Sequence, residues 1–145
     1  MTLQTLYNTD FNSWIQENIL LLKAGRFNEI DNVHLIEELE DMGKSNTREL
    51  KSRLIVLIAH LLKWQFQQNQ RSGGWKSSII EQRKKLSLLL ADSPSLKRIV
   101  NDVISDIYNE ALDWASEETG VAESIFPLTC PYIQEQLLDK NFYPY

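Results

Sequence analysis

A seven-residue spacing runs through the middle of this chain: Ile36, Gly43, Leu50, Leu57 and Trp64, with Leu39, Thr47, Leu54 and Leu61 at the alternate positions. A strand repeats every two residues, so only a helix keeps these positions on one side. The unbroken phase across Gly43 favours one helix from about Asp31 to Gln67, bent near the glycine. The competing reading breaks it there, because Asn46 followed by Glu49 is a capping-box pattern and Gly43 suits a left-handed C′ position. Residues 54–66 are apolar almost all round, and their longest apolar run, Leu54–Leu62, is interrupted by His60. A helix with no polar face is a central one, covered on several sides.

Other helices are framed around it. Thr9 or Asp10 caps a first helix that ends at Gly25, giving about 10–24, with a stripe of Phe11, Trp14, Ile15, Asn18, Leu21 and Leu22. Gln67–Gly74 reads as a loop. A third helix spans about 75–91, facing inward with Trp75, Ile79, Leu86, Leu89 and Leu90, and with Gln82 and Arg83 on the same side. Ser93-Pro94 starts a fourth, about 94–119, which Gly120 stops. Pro131 opens a short last helix, about 131–139. No strand pattern or internal repeat occurs, so the expectation is one all-α helical bundle over 1–145.

Charge is segregated along this frame. Residues 44–98 hold twelve of the fifteen basic residues against three acids, and the flanking segments are acidic. In an up-and-down bundle the basic third helix would lie beside the acidic fourth, so internal pairing is expected there. The overall charge of −5 disfavours nucleic-acid binding by the whole surface. One cysteine, Cys130, allows no internal disulfide, and neither a signal peptide nor a membrane span is legible. These features point to a cytoplasmic protein.

Several stretches together resemble a known family: Thr9-Asp-Phe-x-x-Trp14, Leu35-Ile-Glu-Glu-Leu-Glu-Asp-Met-Gly43, Ala59-His-Leu-Leu-Lys-Trp64, Ile80-Glu-Gln-Arg83, Ser93-Pro-Ser-Leu96, Phe126-Pro127 and Cys130-Pro-Tyr132. In order and over nearly the whole chain, they are similar to the bacterial domain-of-unknown-function family 29. The resemblance implies a compact all-helical bacterial domain and carries no established activity or catalytic residue. Gly73-Gly74 departs from it, since polar or basic residues are usual there.

Residues with chemical potential are few. Glu37, Glu38, Glu40 and Asp41 form a dense acidic cluster. With His60 they suggest a carboxylate–histidine metal site, but Glu38 and His60 stand about 33 Å apart along a continuous helix. No metal or cofactor is therefore expected, and the cluster reads as a solvated face. His60 should lie level with Glu81 and Gln82, and with Asp102 on the fourth helix, as a buried, hydrogen-bonded imidazole. Trp64, Arg71 and Trp75 combine aromatics and cations around the loop, and the face continues to Arg83. Cys130 reads as a small buried residue. Two functions follow as expectations. The first is a non-enzymatic interaction or regulatory module with a protein partner or a second copy. The alternative is a small enzyme or an anion- or nucleic-acid-binding factor that uses the His60 layer or the Arg71–Arg83 face.

Overall fold

The structure, a computed structural model, describes residues 2–145. Its elements are α1 (Leu3–Thr9), α2 (Phe11–Lys23), α3 (Asn32–Phe66), α4 (Gly73–Asp92), α5 (Val100–Thr119) and α6 (Gln134–Leu138). Short 3-10 turns occupy Gln68–Gln70, Pro94–Ile99 and Glu123–Ile125, and the described residues hold no strand. The fold is all-α, as the spacing requires. The chain divides into two compact units, one up to Ser45 and one from Asn46 to Tyr145. α3 belongs to both and is unbroken at Gly43, so the seven-residue phase describes one helix.

In the first unit the Asp10 carboxylate accepts from the Ser13 amide at 3.1 Å and so starts α2. Gly25 ends α2 at φ +73°, with Gly25 N–H bonded to Leu22 and Arg26 N–H to Leu21. That pair of bonds satisfies two orphan carbonyls and needs a left-handed residue between them. The sequence did not announce α1. Thr2 starts it by accepting from the Thr5 amide, and the Asp10 N–H closes it on Leu6.

The second unit carries the core. Leu50, Leu54, Leu57, Ile58, Leu61 and Leu62 of α3 are completely buried against Ile79 and Leu86 of α4 and against Val100, Val103 and Ile107 of α5. Each fully buried leucine contributes ~1.5–3 kcal/mol, against ~0–1 kcal/mol for an exposed ion pair. The apolar seam, not charge segregation, therefore holds this unit together. Gly120, at φ +75°, stops α5 where expected.

Three boundaries differ from the sequence reading. α4 starts at Gly73, because the Ser72 hydroxyl accepts from the Trp75 amide and draws both glycines into the first turn. Pro94–Ile99 winds as a 3-10 turn, without a side-chain cap from Ser93, so α5 begins only at Val100. α6 is shorter than 131–139. It opens at Ile133, whose N–H donates to the Gln136 side chain, rather than at Pro131.

Candidate functional site

The first unit is organised around Asp31. Its side chain, 1% exposed, accepts from Trp14 Nε1 at 3.0 Å and pairs with His34 Nδ1 at 2.7 Å. Its own N–H donates to Asn18 Oδ1, and Asn18 Nδ2 donates in turn to the Trp14 carbonyl. Burial pushes the Asp31 carboxyl up, but the bonds from His34 and Trp14 outweigh this and hold it below the usual carboxylate range. Tyr7 stacks on His34 with ring centroids 3.9 Å apart and donates its hydroxyl to Glu38. That bond, helped by nearby acids, raises the phenol to about 12.

Glu38 is therefore engaged, whereas Glu37, Glu40 and Asp41 are exposed. Beside them α3 exposes four large apolar side chains: Val33 (73%), Ile36 (56%), Leu39 (64%) and Met42 (64%). Ile36 and Leu39 belong to the same seven-residue spacing that is buried at Leu50, Leu54, Leu57 and Leu61. The four exposed apolar side chains step by three and wind part-way round α3, with the acids interleaved among them. The fold-back at Gly43 on which a carboxylate–histidine metal site depended is not made. Among the described residues no three His, Cys, Asp or Glu side chains are grouped to hold a metal.

In the second unit His60 does not lie level with Glu81 and Gln82. Its Nδ1 donates to the Val56 carbonyl at 2.7 Å, and its ring meets the Trp114 ring edge-on at 5.9 Å. Burial lowers its pKa below the ordinary histidine value. The register moved because the glycine pair is helical, which shortens the α3–α4 connection. Gln82 then meets Arg53, and Lys63 lies 5.3 Å over the Trp75 ring. Glu81 is exposed and pairs with Lys85 at 2.8 Å.

The expected α4–α5 charge pairing is also absent. Among the described residues the one ion pair between helices joins buried Lys63 of α3 to Glu118 of α5. The faces that α4 and α5 turn to the core are mostly apolar, and the buried cation of α4, Arg83, bonds the carbonyls of residues 136 and 137 rather than an acid of α5.

The Arg71–Arg83 face is occupied by the chain's own tail. Arg83 Nε and Nη2 donate to the carbonyls of Leu137 and Gln136 at 2.9 and 3.0 Å, which caps α6. Arg71 donates to the carbonyls of Trp64 and Pro144 and lies over the Trp64 ring at 4.8 Å. Tyr143 packs on Trp64 and receives the cations of Lys76 and Arg83 on its ring. Of the cluster read from sequence, Trp64, Arg71 and Arg83 come together as a clamp on residues 136–144, whereas Trp75 lies under Lys63.

The site the sequence reading missed is the Asp31–His34 pair. Its signal is a carboxylate and a histidine three residues apart at a helix start. No helix of the described residues is long and apolar enough to cross a membrane. No curated protein and no solved structure matches the chain. The domain of unknown function DUF29 matches residues 6–143, nearly the whole length, and the chain belongs to that family.

Proposed function

We propose that this chain is a non-enzymatic helical interaction module of the bacterial cytoplasm. In this reading α3 of the first unit docks an amphipathic helix with basic flanks, supplied by a protein partner. The observation that carries it is the row Val33, Ile36, Leu39 and Met42, each more than half exposed on one helix. An exposed apolar patch is the usual mark of an interaction surface. Glu37, Glu40 and Asp41 beside it set the chemistry of the occupant, since apolar contact gives affinity and opposite charge gives register. The lone, half-buried Cys130 fits a reducing compartment.

The test uses two synthetic helical peptides with the same leucine stripe, one flanked by Lys and Arg and one by Glu. The basic peptide should bind with a Kd on the order of 10 μM, weakening as salt is raised. The acidic one should not bind. Ile36→Glu with Leu39→Glu should abolish binding without altering the melt, because both side chains already face solvent. Equal binding of both peptides, or of neither, would overturn the reading.

A further inference from the structure

A cleft of about 480 Å³ opens in the second unit between α5 and the irregular segment 128–133 that leads into α6. One wall is a single stripe of α5, Asn101, Ser105 and Asn109, spaced by four and so stacked on one face. Thr129 and Gln134 stand across from it, and Ile104, Tyr108 and Tyr132 supply the apolar part. Glu135 is the one charged residue in the lining. The adjacent exposed positions of α5 are Asp102, Asp106 and Glu110, so the helix changes from acids to amides and a hydroxyl where it meets the cleft.

The walls are held in place before any ligand arrives. Tyr108 Oη donates to the Pro127 carbonyl at 2.7 Å, and Tyr132 Oη donates to Gln65 Oε1 at 2.7 Å. The Cys130 thiol donates to the Tyr132 carbonyl at 3.5 Å. Ser105 uses its hydroxyl proton on the Asn101 carbonyl. The side-chain amides of Asn101, Asn109 and Gln134's NH₂ group, with the Thr129 hydroxyl, donate to no group among the described residues. A preformed cleft with an apolar floor and converging polar groups is the general form of a small-molecule site.

We propose that this cleft binds a small neutral polyol, one or two sugar rings in size, through the amides and hydroxyls of its walls. Amides and hydroxyls both donate and accept, as the hydroxyls of a polyol do. No Lys or Arg lines the cleft, so a phosphate or carboxylate would lack its charge-assisted partner beside an acidic helix face. The inference is independent of the docking face on the first unit.

Cys130, the chain's single cysteine, lies in the wall and serves as a reporter. Burial raises its thiol pKa, so modification is slow and easily timed. The ¹⁵N-labelled chain is titrated with glucose and with sucrose. The side-chain amide signals of Asn101, Asn109 and Gln134 should shift, and Cys130 modification should slow about tenfold at ten times the Kd. Asn101→Leu with Asn109→Leu should lose both effects with an unchanged melt. Should that pair melt early, Thr129→Val gives the same comparison from an exposed loop. The proposal is overturned if neither sugar shifts these signals or if the well-folded variants respond like the parent chain. It is equally overturned if inorganic phosphate or ethylamine moves the signals and the sugars do not.

Discussion

Asp31 shows how much one residue can carry in a unit with little core. Within residues 2–45 only Trp14, Asn18 and Asp31 are fully buried, and all three belong to one hydrogen-bonded network. Asp31→Ala would strand the Trp14 indole N–H and the His34 ring and remove the cap of α3. Together these losses amount to about 2–4 kcal/mol. Hydrogen exchange should show it, with amides of α2 and the first turns of α3 speeding up while those of 54–62 stay slow. The pH dependence has a definite sign. The Asp31 carboxyl sits below its ordinary value in the folded chain, so its stabilisation is complete above the ordinary carboxylate range. It fades as pH falls through the depressed value. Asp31→Asn should flatten that acid limb, followed through the Trp14 indole signal. If acid loosened the first unit equally in the parent and Asp31→Asn chains, Asp31 would not be its anchor.

At the scale of elements, two glycines with opposite roles test the reading of the helices. Gly43 sits inside α3, and a Cβ there would meet nothing within 4 Å. Gly43→Ala should therefore raise stability by about 0.5–1 kcal/mol, since alanine loses less backbone entropy. Gly120 also has open space, but its φ of +75° is the left-handed cap of α5, so Gly120→Ala should lower stability by about 1–2 kcal/mol. Thermal melts of the two variants should move in opposite directions. α3 was legible because a seven-residue spacing survives the glycine in its middle. α1 was not, because its apolar positions Leu3, Leu6 and Tyr7 mark only a single turn's worth of helical spacing in seven residues, and none is fully buried. The clamp on the tail was half legible. Trp64, Arg71 and Arg83 could be named from sequence, but the groups Arg83 binds are carbonyls of residues 136 and 137, and a backbone acceptor leaves no mark in a sequence. His60 was correctly expected to be buried, yet its partner was missed for a related reason. The imidazole bonds to its own helix at Val56 instead of reaching a polar side chain.

At the scale of the whole molecule, the two units differ in what holds them. Every member of the continuous apolar core, from Leu50 to Leu137, lies in the second unit. The first unit has its aromatic and polar network instead, within a length at which a chain rarely buries enough surface to fold unaided. A fragment of residues 46–145 should therefore fold alone. It starts at Asn46, three residues before Glu49, so the shortened α3 brings its own capping-box pattern to the new end. It also keeps both partners of the Lys63–Glu118 pair and of every Arg83 contact. The expected result is a cooperative melt with near-ultraviolet circular dichroism intact, while residues 2–45 alone melt without a transition. The docking reading adds a condition, because the basic helical peptide should bind the full chain and not the 46–145 fragment, which lacks Val33, Ile36, Leu39 and Met42. The sugar response at Cys130 should persist in that fragment. A fragment that loses its near-ultraviolet signal would mean that the core depends on the first unit after all.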